Sequence, residues 1–194
     1  MMDVARSELI LGGQKSGKSR RAELLARQWL SESPAHRALL IATGQAWDDE
    51  MRQRIERHQR DRAARVPGLA TLEEPLDLAS ALQCHGSAQT LIVVDCLTLW
   101  LTNWRMPIEQ SKPNQPETPD WKAQEALFLE AIRQTPGPVV LVGNEIGLGV
   151  IPLGREVRAF VDALGVLNQR AAAACARVTL MAAGLPLTLK ECEP

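Results

Sequence analysis

The chain has 194 residues, of which 45% are hydrophobic and 23% charged, and this ordinary globular usage excludes the disordered and fibrous classes. Its 22 Lys and Arg residues are balanced by 23 Asp and Glu residues, so no overall positive field exists to hold nucleic acid. Aromatic residues make up 4% with no tyrosine, which argues against a base-stacking platform. We therefore expect no nucleic-acid partner.

Short apolar runs alternate along the chain with longer helical patterns. The apolar runs predict strands at 9–11, 38–41, 91–94, 139–142 and 177–181, with a further short strand at 186–190 closing an edge. Helices are predicted at 18–31, 48–63, 121–134 and 154–175. Near-continuous apolar strands separated by helices indicate an α/β fold, with a mostly parallel sheet flanked by helices on both faces.

Proline-rich and apolar stretches bear on domain organisation and location. Four prolines fall among polar residues at about 106–120, which predicts a surface excursion within a single domain of residues 1–194. The longest apolar stretch, 91–101, contains Asp95 and is too short to span a bilayer. The acidic start does not fit a signal peptide, and the four cysteines form no C-x-x-C pair. We expect no membrane span and a cytoplasmic location.

The strongest motif follows the first predicted strand and opens the first predicted helix. It fits G-x-x-x-x-G-K-[ST], in the context that a phosphate-binding loop requires. Glycines allow several backbone N–H groups to converge on phosphate oxygens, and the helix N-terminus adds partial positive charge. Lys18 is expected to reach the β- and γ-phosphates of a nucleoside triphosphate, and the Ser19 hydroxyl to ligate Mg²⁺. The predicted nucleotide-binding residues are Gly12, Gly13, Gln14, Lys15, Ser16, Gly17, Lys18 and Ser19.

Polar residues also follow two other buried strands. Asp95 ends the strand 91–94, where open α/β sheets place ligands, and a carboxylate there is costly to bury unless it is paired or metal-bound. Asp95 is therefore a candidate metal ligand, with a structural hydrogen bond as the alternative. Asn144 and Glu145 occupy the same position after the strand 139–142, so a role in the cleft and a role in the loop structure both remain open.

A basic helix contains the one histidine with a candidate role. Arg54, His58 and Arg62 are four residues apart and share one stripe of the helix. Two flanking guanidiniums disfavour a protonated imidazole, and a neutral imidazole is a nucleophile. The arginines would neutralise an attacked α-phosphate. A solvated arginine-rich helix with an incidental histidine explains the same pattern.

The motifs together resemble a known family. It is the bifunctional adenosylcobinamide kinase / adenosylcobinamide-phosphate guanylyltransferase of cobalamin biosynthesis, and the resemblance covers nearly the whole chain. Beyond the generic phosphate loop, the ordered segments that carry it are 48–58, 95–103, 144–152, 165–173 and 184–186.

The resemblance implies a P-loop, RecA-like α/β domain, commonly a homotrimer, with two activities. The first phosphorylates adenosylcobinamide with ATP or GTP. The second transfers GMP from GTP to that phosphate through a guanylylated histidine, which matches His58. Further nucleotide contacts match Ala42, Thr43, Gly44, Gln59, Arg60, Asp61, Arg62, Glu73 and Asp95, with Glu74 as an alternative to Glu73.

Three positions depart from the family pattern. Ala63 stands where proline is usual, Leu69 where tryptophan is usual, and Val161 where arginine is usual. Two other functions therefore stay open. One is a small-molecule kinase or ATPase without guanylyl transfer, and the other is a regulatory nucleotide-binding module.

Overall fold

A computed structural model describes residues 3–46, 49–106 and 121–192. The side chains of Met51, Arg54, Ile55 and His58 also lie outside the description. The strands are β1 (Ser7–Gly12), β2 (Arg37–Ala42), β3 (Leu69–Glu73), β4 (Thr90–Asp95), β5 (Val139–Val142), β6 (Arg177–Ala182) and β7 (Leu185–Glu191). The helices are α1 (Lys18–Glu32), α2 (Asp49–Arg65), α3 (Leu78–His85), α4 (Leu97–Arg105), α5 (Trp121–Gln134) and α6 (Arg155–Ala174).

The strands form one sheet in the order β3-β2-β4-β5-β1-β6-β7. Every neighbouring pair is parallel except β6 and β7, which pair antiparallel at one edge. This confirms the predicted mostly parallel α/β sheet, each predicted strand and helix, and the closing edge strand. The proline-rich residues 107–120 lie outside the described ranges, and a single domain over 1–194 stays a prediction.

Two apolar clusters lie on opposite faces of the sheet. Successive residues of β1 contribute to the two clusters in turn. Ile10 packs in the first cluster, with residues of α1, whereas Leu9 and Leu11 pack in the second cluster, with residues of α4, α5 and α6. Trp100 and Phe128 are fully buried in the second cluster, with ring centroids 4.7 Å apart. Because both faces are covered, the central strands read as continuous apolar runs, and the polar ends of the strands remain at the carboxyl edge.

A buried carboxylate joins the elements on either side of the phosphate loop. Glu8 of β1 is 1% exposed. Its Oε1 accepts hydrogen bonds from Arg21 Nε of α1 at 2.7 Å and from Thr179 Oγ1 of β6 at 2.8 Å. Arg177 Nη1 lies 3.7 Å from the second oxygen. The strand before the loop is therefore fixed to the helix after it.

We expect Glu8→Ala to lower the free energy of unfolding by about 3–5 kcal/mol, because it leaves two guanidiniums near one another without the carboxylate between them. Glu130→Ala is the matched control, since the Glu130–Arg133 pair is half exposed on both sides and a loss of at most about 1 kcal/mol is expected. Urea unfolding of both variants measures the difference. Equal small losses would contradict a structural role for Glu8.

Candidate nucleotide site

The phosphate loop turns sharply between β1 and α1. Gly12 and Gly17 have φ values of +153° and +103°, and Lys18 is the first residue of α1. The β6–β7 turn closes on the loop, since Gly184 N donates to Ser16 O at 3.0 Å. Among the described residues, the buried Ser16 Oγ has no hydrogen-bond partner. The loop is thus held from outside by the β6–β7 turn, and the Ser16 hydroxyl is enclosed within it.

Lys18 lies against the loop. Its side chain is buried, and Nζ donates to Gly13 O at 2.6 Å. Burial lowers the pKa of Lys18, while the negative charge of Asp95 at the end of β4 raises it. Burial also raises the pKa of Cys96 to about 11, so that thiol is neutral at pH 7. The Lys18 ammonium at the start of α1 and the Asp95 carboxylate at the end of β4 therefore interact electrostatically, and their predicted roles stay predictions.

A methyl group at Gly12 has no room. An added Cβ would lie 2.5 Å from Met181 O and 2.6 Å from Ser16 Oγ, whereas one at Gly13 would meet nothing within 4 Å. We expect Gly12→Ala to weaken ATP binding by about tenfold or more, because the loop must shift and its φ disfavours alanine. Gly13→Ala adds a methyl group in the same loop without a clash and should weaken ATP binding less. Titration calorimetry with both variants tests this, and equal affinities would contradict it.

Three of the predicted acidic and backbone contacts lie side by side. Ala42 ends β2 and is in direct register with Glu73 of β3 on one side and Asp95 of β4 on the other. Gln59 Nε2 of α2 donates to Glu73 Oε1 at 3.2 Å, so the residue after His58 contacts the end of β3. The phosphate loop lies four strand spacings from β3, or about 19 Å at about 4.8 Å each. The candidate residues thus form one long row rather than a single cluster.

The remaining predicted contacts on this side differ in exposure. Thr43 is fully buried, and its hydroxyl donates to Cys96 O at 2.7 Å and accepts from Cys96 N at 2.8 Å. Glu74 accepts hydrogen bonds from the backbone N–H groups of Leu76 and Asp77 at 2.9 and 2.8 Å, so its carboxylate serves the turn before α3. On α2, Arg60 and Asp61 are exposed. The predicted roles of Thr43, Arg60 and Asp61 stay predictions.

Two residues to which the sequence analysis gave no role hold the carboxyl edge together. Asn103 Nδ2 donates to Thr43 O at 2.8 Å and to Pro75 O at 3.0 Å. Thr98 Oγ1 accepts from both Asn144 N and Asn144 Nδ2 at 3.1 Å. Both Asn103 and Thr98 lie in the segment 95–103 that carries the family resemblance, so the sequence marked them as candidates. Their partners lie in loops distant in sequence, which the sequence does not show. Asn144 therefore contacts the start of α4.

His58 lies in the last three turns of α2, where the backbone is helical as predicted. The side chains of His58 and Arg54 lie outside the described part of the structure, so the proposed stripe stays a prediction. The end of α2 is anchored elsewhere: Arg65 Nε and Nη2 each donate to the Glu23 carboxylate at 2.7 Å. That bidentate bond raises the pKa of Arg65, against the opposing effect of burial.

Comparison with known proteins decides the family. The family described as cobinamide kinase / cobinamide phosphate guanyltransferase, CobU, matches residues 8–189. The chain belongs to this family. It is 47% identical over 184 residues to the bifunctional adenosylcobalamin biosynthesis protein CobP of Pseudomonas aeruginosa, covering 94% of this chain and 96% of that one. It is 35% identical to the CobU protein of Salmonella typhimurium, also named bifunctional, covering 94% of this chain and 98% of that one.

The fold has a wider distribution than the CobU family. The crystal structure of the flagellar accessory protein FlaH from Methanocaldococcus jannaschii has a similar fold. The match covers 98% of this chain and 80% of the FlaH chain, with a TM-score of 0.52 and 12% sequence identity. That likeness concerns the fold alone, and it agrees with the predicted P-loop, RecA-like class. In the described ranges of this CobU-family chain, no helix has the length and apolar character needed to cross a membrane.

Proposed function

We propose that this protein phosphorylates adenosylcobinamide with ATP or GTP and then transfers GMP from GTP to the new phosphate, giving adenosylcobinamide-GDP and pyrophosphate. Membership of the cobinamide kinase / cobinamide phosphate guanyltransferase family over residues 8–189 carries the proposal. The phosphate loop at Gly12–Ser19 and the row of acidic residues at the carboxyl edge support it.

The kinase step needs charge neutralisation more than covalent chemistry from the protein. Phosphoryl transfer places negative charge on the transferred group, and positioned cations stabilise it. Lys18 is buried against the loop, so its ammonium would act in a low-dielectric environment on the β- and γ-phosphates. The substrate hydroxyl oxygen attacks the γ-phosphorus, the bond to the β-phosphate oxygen breaks, and the hydroxyl proton is released.

The residues present fit Mg²⁺. Hard oxygen donors suit this ion, which commonly uses one or two protein ligands, with waters and substrate phosphates as the others. Ser19 on the first turn of α1 and Asp95 at the end of β4 would hold it, and the charge of Asp95 already acts on Lys18. Bound there, Mg²⁺ would neutralise phosphate charge.

The guanylyl step is assigned to His58 and the residues that follow it. An imidazole nitrogen would attack the α-phosphorus of GTP with release of pyrophosphate, and the cobinamide phosphate oxygen would then displace the histidine. The contact between Gln59 and Glu73 supports a shared nucleotide-binding region, because it joins two residues that the resemblance assigns to nucleotide binding. The proposed nucleotide-binding set is completed by Ala42, Thr43, Gly44, Arg60, Asp61, Arg62 and Asp95.

We expect the protein to form a homo-oligomer, which in this family is commonly a homotrimer. We also expect it to act in the cytoplasm, where its nucleotide substrates are present. Exposed apolar side chains support assembly, since Leu148, Val150 and Leu153 are 80%, 96% and 96% exposed. Such clusters in a folded chain are typical of interaction surfaces. Sedimentation velocity of the purified protein measures the assembly state, and a monomer would refute this part of the proposal.

A turnover assay tests the function against its two alternatives. Purified protein is incubated with adenosylcobinamide, ATP, GTP and Mg²⁺, and the corrin products are separated and weighed by mass spectrometry. The proposal predicts the phosphate first and the GDP derivative later. Formation of adenosylcobinamide phosphate without the GDP derivative would indicate a kinase that lacks guanylyl transfer. Nucleotide binding without any corrin product would indicate a regulatory module.

A further inference from the structure

The proposed kinase step needs a group that accepts the proton of the substrate hydroxyl. In phosphoryl transfer to a hydroxyl, a carboxylate within hydrogen-bond reach commonly takes that proton. Three strands of the sheet carry a carboxylate at or just beyond their carboxyl ends, which is the edge that holds the phosphate loop. Glu73 ends β3, Asp95 ends β4, and Glu145 lies three residues beyond the end of β5. These three side chains are the candidates.

Two of the three carboxylates do not suit this task. Glu73 lies on the edge strand β3, four strand spacings from the strand that carries the phosphate loop, and its Oε1 accepts a hydrogen bond from Gln59. Asp95 is the proposed Mg²⁺ ligand, and a neighbouring cation favours the charged form of a carboxylate, which makes it a weaker base. Glu145 remains.

Glu145 lies beside the phosphate loop. The strand β5 pairs with β1 on one side and with β4 on the other, so its carboxyl end lies between the loop and Asp95. Just beyond β5, Glu145 N donates to Gly12 O at 3.0 Å, which joins the residue directly to the first glycine of the loop. A substrate hydroxyl that approaches a γ-phosphate held by the loop therefore comes near this side chain.

Neutral donors hold the half-buried Glu145 carboxylate. Its Oε1 accepts from Gly147 N at 3.3 Å, and its Oε2 lies 3.5 Å from Asn168 Nδ2. Asn168 is 4% exposed and also donates to Asn144 O at 3.0 Å, so it is a fixed support. In the described ranges no lysine or arginine forms an ion pair with Glu145. Long hydrogen bonds from neutral groups orient the carboxylate and leave lone pairs that can accept a proton.

We propose that Glu145 is the general base of the kinase step. The proposal rests on the proposed function, since it assigns a role within the first of its two reactions. As the substrate oxygen forms its bond to the γ-phosphorus, the O–H bond breaks and the proton passes to a Glu145 carboxylate oxygen. The bond between the γ-phosphorus and the β-phosphate oxygen breaks, and the nucleoside diphosphate leaves with that electron pair. The Glu145 carboxylic acid then returns the proton to solvent.

Glu145→Gln keeps the shape of the side chain, but its amide cannot take the proton. We expect kcat for phosphorylation of adenosylcobinamide to fall about 100-fold or more, which is the usual contribution of a general base. The KM values for ATP and for adenosylcobinamide should stay within about twofold of wild type. Glu130→Gln is the matched control, because it removes the same charge from a half-exposed position on α5 and should behave as wild type.

The second reaction of the same protein shows whether the substitution acts on the kinase step alone. Guanylyl transfer starts from a phosphate that is already formed, so no hydroxyl has to lose a proton. Glu145→Gln should therefore convert adenosylcobinamide phosphate and GTP into adenosylcobinamide-GDP at a rate within about twofold of wild type. An equal fall in both rates would show general damage to the nucleotide site and would overturn the proposal.

The other outcomes separate this proposal from the proposed function. Wild-type protein that does not phosphorylate adenosylcobinamide refutes the proposed function, and the role of Glu145 with it. Wild-type turnover with an unchanged kcat in Glu145→Gln refutes only the role of Glu145. A raised KM for adenosylcobinamide with an unchanged kcat would assign Glu145 to substrate binding, which also overturns the proposal.

Discussion

Lys18→Ala is expected to lower the rate of adenosylcobinamide phosphorylation by about two orders of magnitude or more, the usual effect of removing a group that stabilises transition-state charge. The Lys18 ammonium is buried beside the phosphate loop, where a charge acts more strongly than in water. The measurement is the initial rate of transfer from γ-³²P-ATP at saturating corrin.

Arg20→Ala is the control for this prediction. It removes a positive charge from the same helix, but at an exposed position two residues further on. Its rate should stay close to that of wild type. Normal turnover by Lys18→Ala, or an equal loss in both variants, would show that the loop is not the catalytic phosphate site.

His58→Ala is expected to abolish covalent labelling from α-³²P-GTP and formation of adenosylcobinamide-GDP, while leaving appreciable phosphorylation of adenosylcobinamide. A phosphoramidate requires an imidazole nitrogen, whereas the kinase step delivers the γ-phosphate directly to a hydroxyl. The wild-type label should be acid-labile and stable to base. Denaturing gels and product chromatography measure the two activities separately.

His85→Ala is the matched control, because His85 is exposed at the end of α3. His36 has a structural place, stacked on Trp29 with ring centroids 3.7 Å apart and bonded through Nδ1 to Trp29 O at 2.7 Å. Labelling retained in His58→Ala would contradict the assignment. A circular dichroism melt accompanies the assay, since a misfolded α2 would remove both activities for another reason.

The central strands were predictable because burial on both faces makes them continuous apolar runs, and β4 and β5 are the clearest cases. Three elements were missed. The strand β3 lies at the edge of the sheet far from β7. Three of its five residues are exposed and none is buried, so its sequence has no apolar run that would predict a strand. The helix α3 has only 8 residues, and α4 follows β4 so closely that their apolar residues merge.

The position of the phosphate loop between β1 and α1 was predictable because a local motif defines it, whereas contacts between distant segments were not predictable. The phosphate loop needs only its own glycines, its lysine and the adjoining strand and helix. The bonds between Thr43 and Cys96, and between Thr98 and Asn144, depend on the order β2-β4-β5 in the sheet.

The most direct test of a single chain with two chemistries is a two-stage labelling of the corrin. Adenosylcobinamide is first phosphorylated with γ-³³P-ATP, and the reaction is then chased with α-³²P-GTP. The account predicts one product, adenosylcobinamide-GDP, that retains the ³³P and gains an equal amount of ³²P. A corrin product that lost its ³³P, or that gained no ³²P, would contradict it.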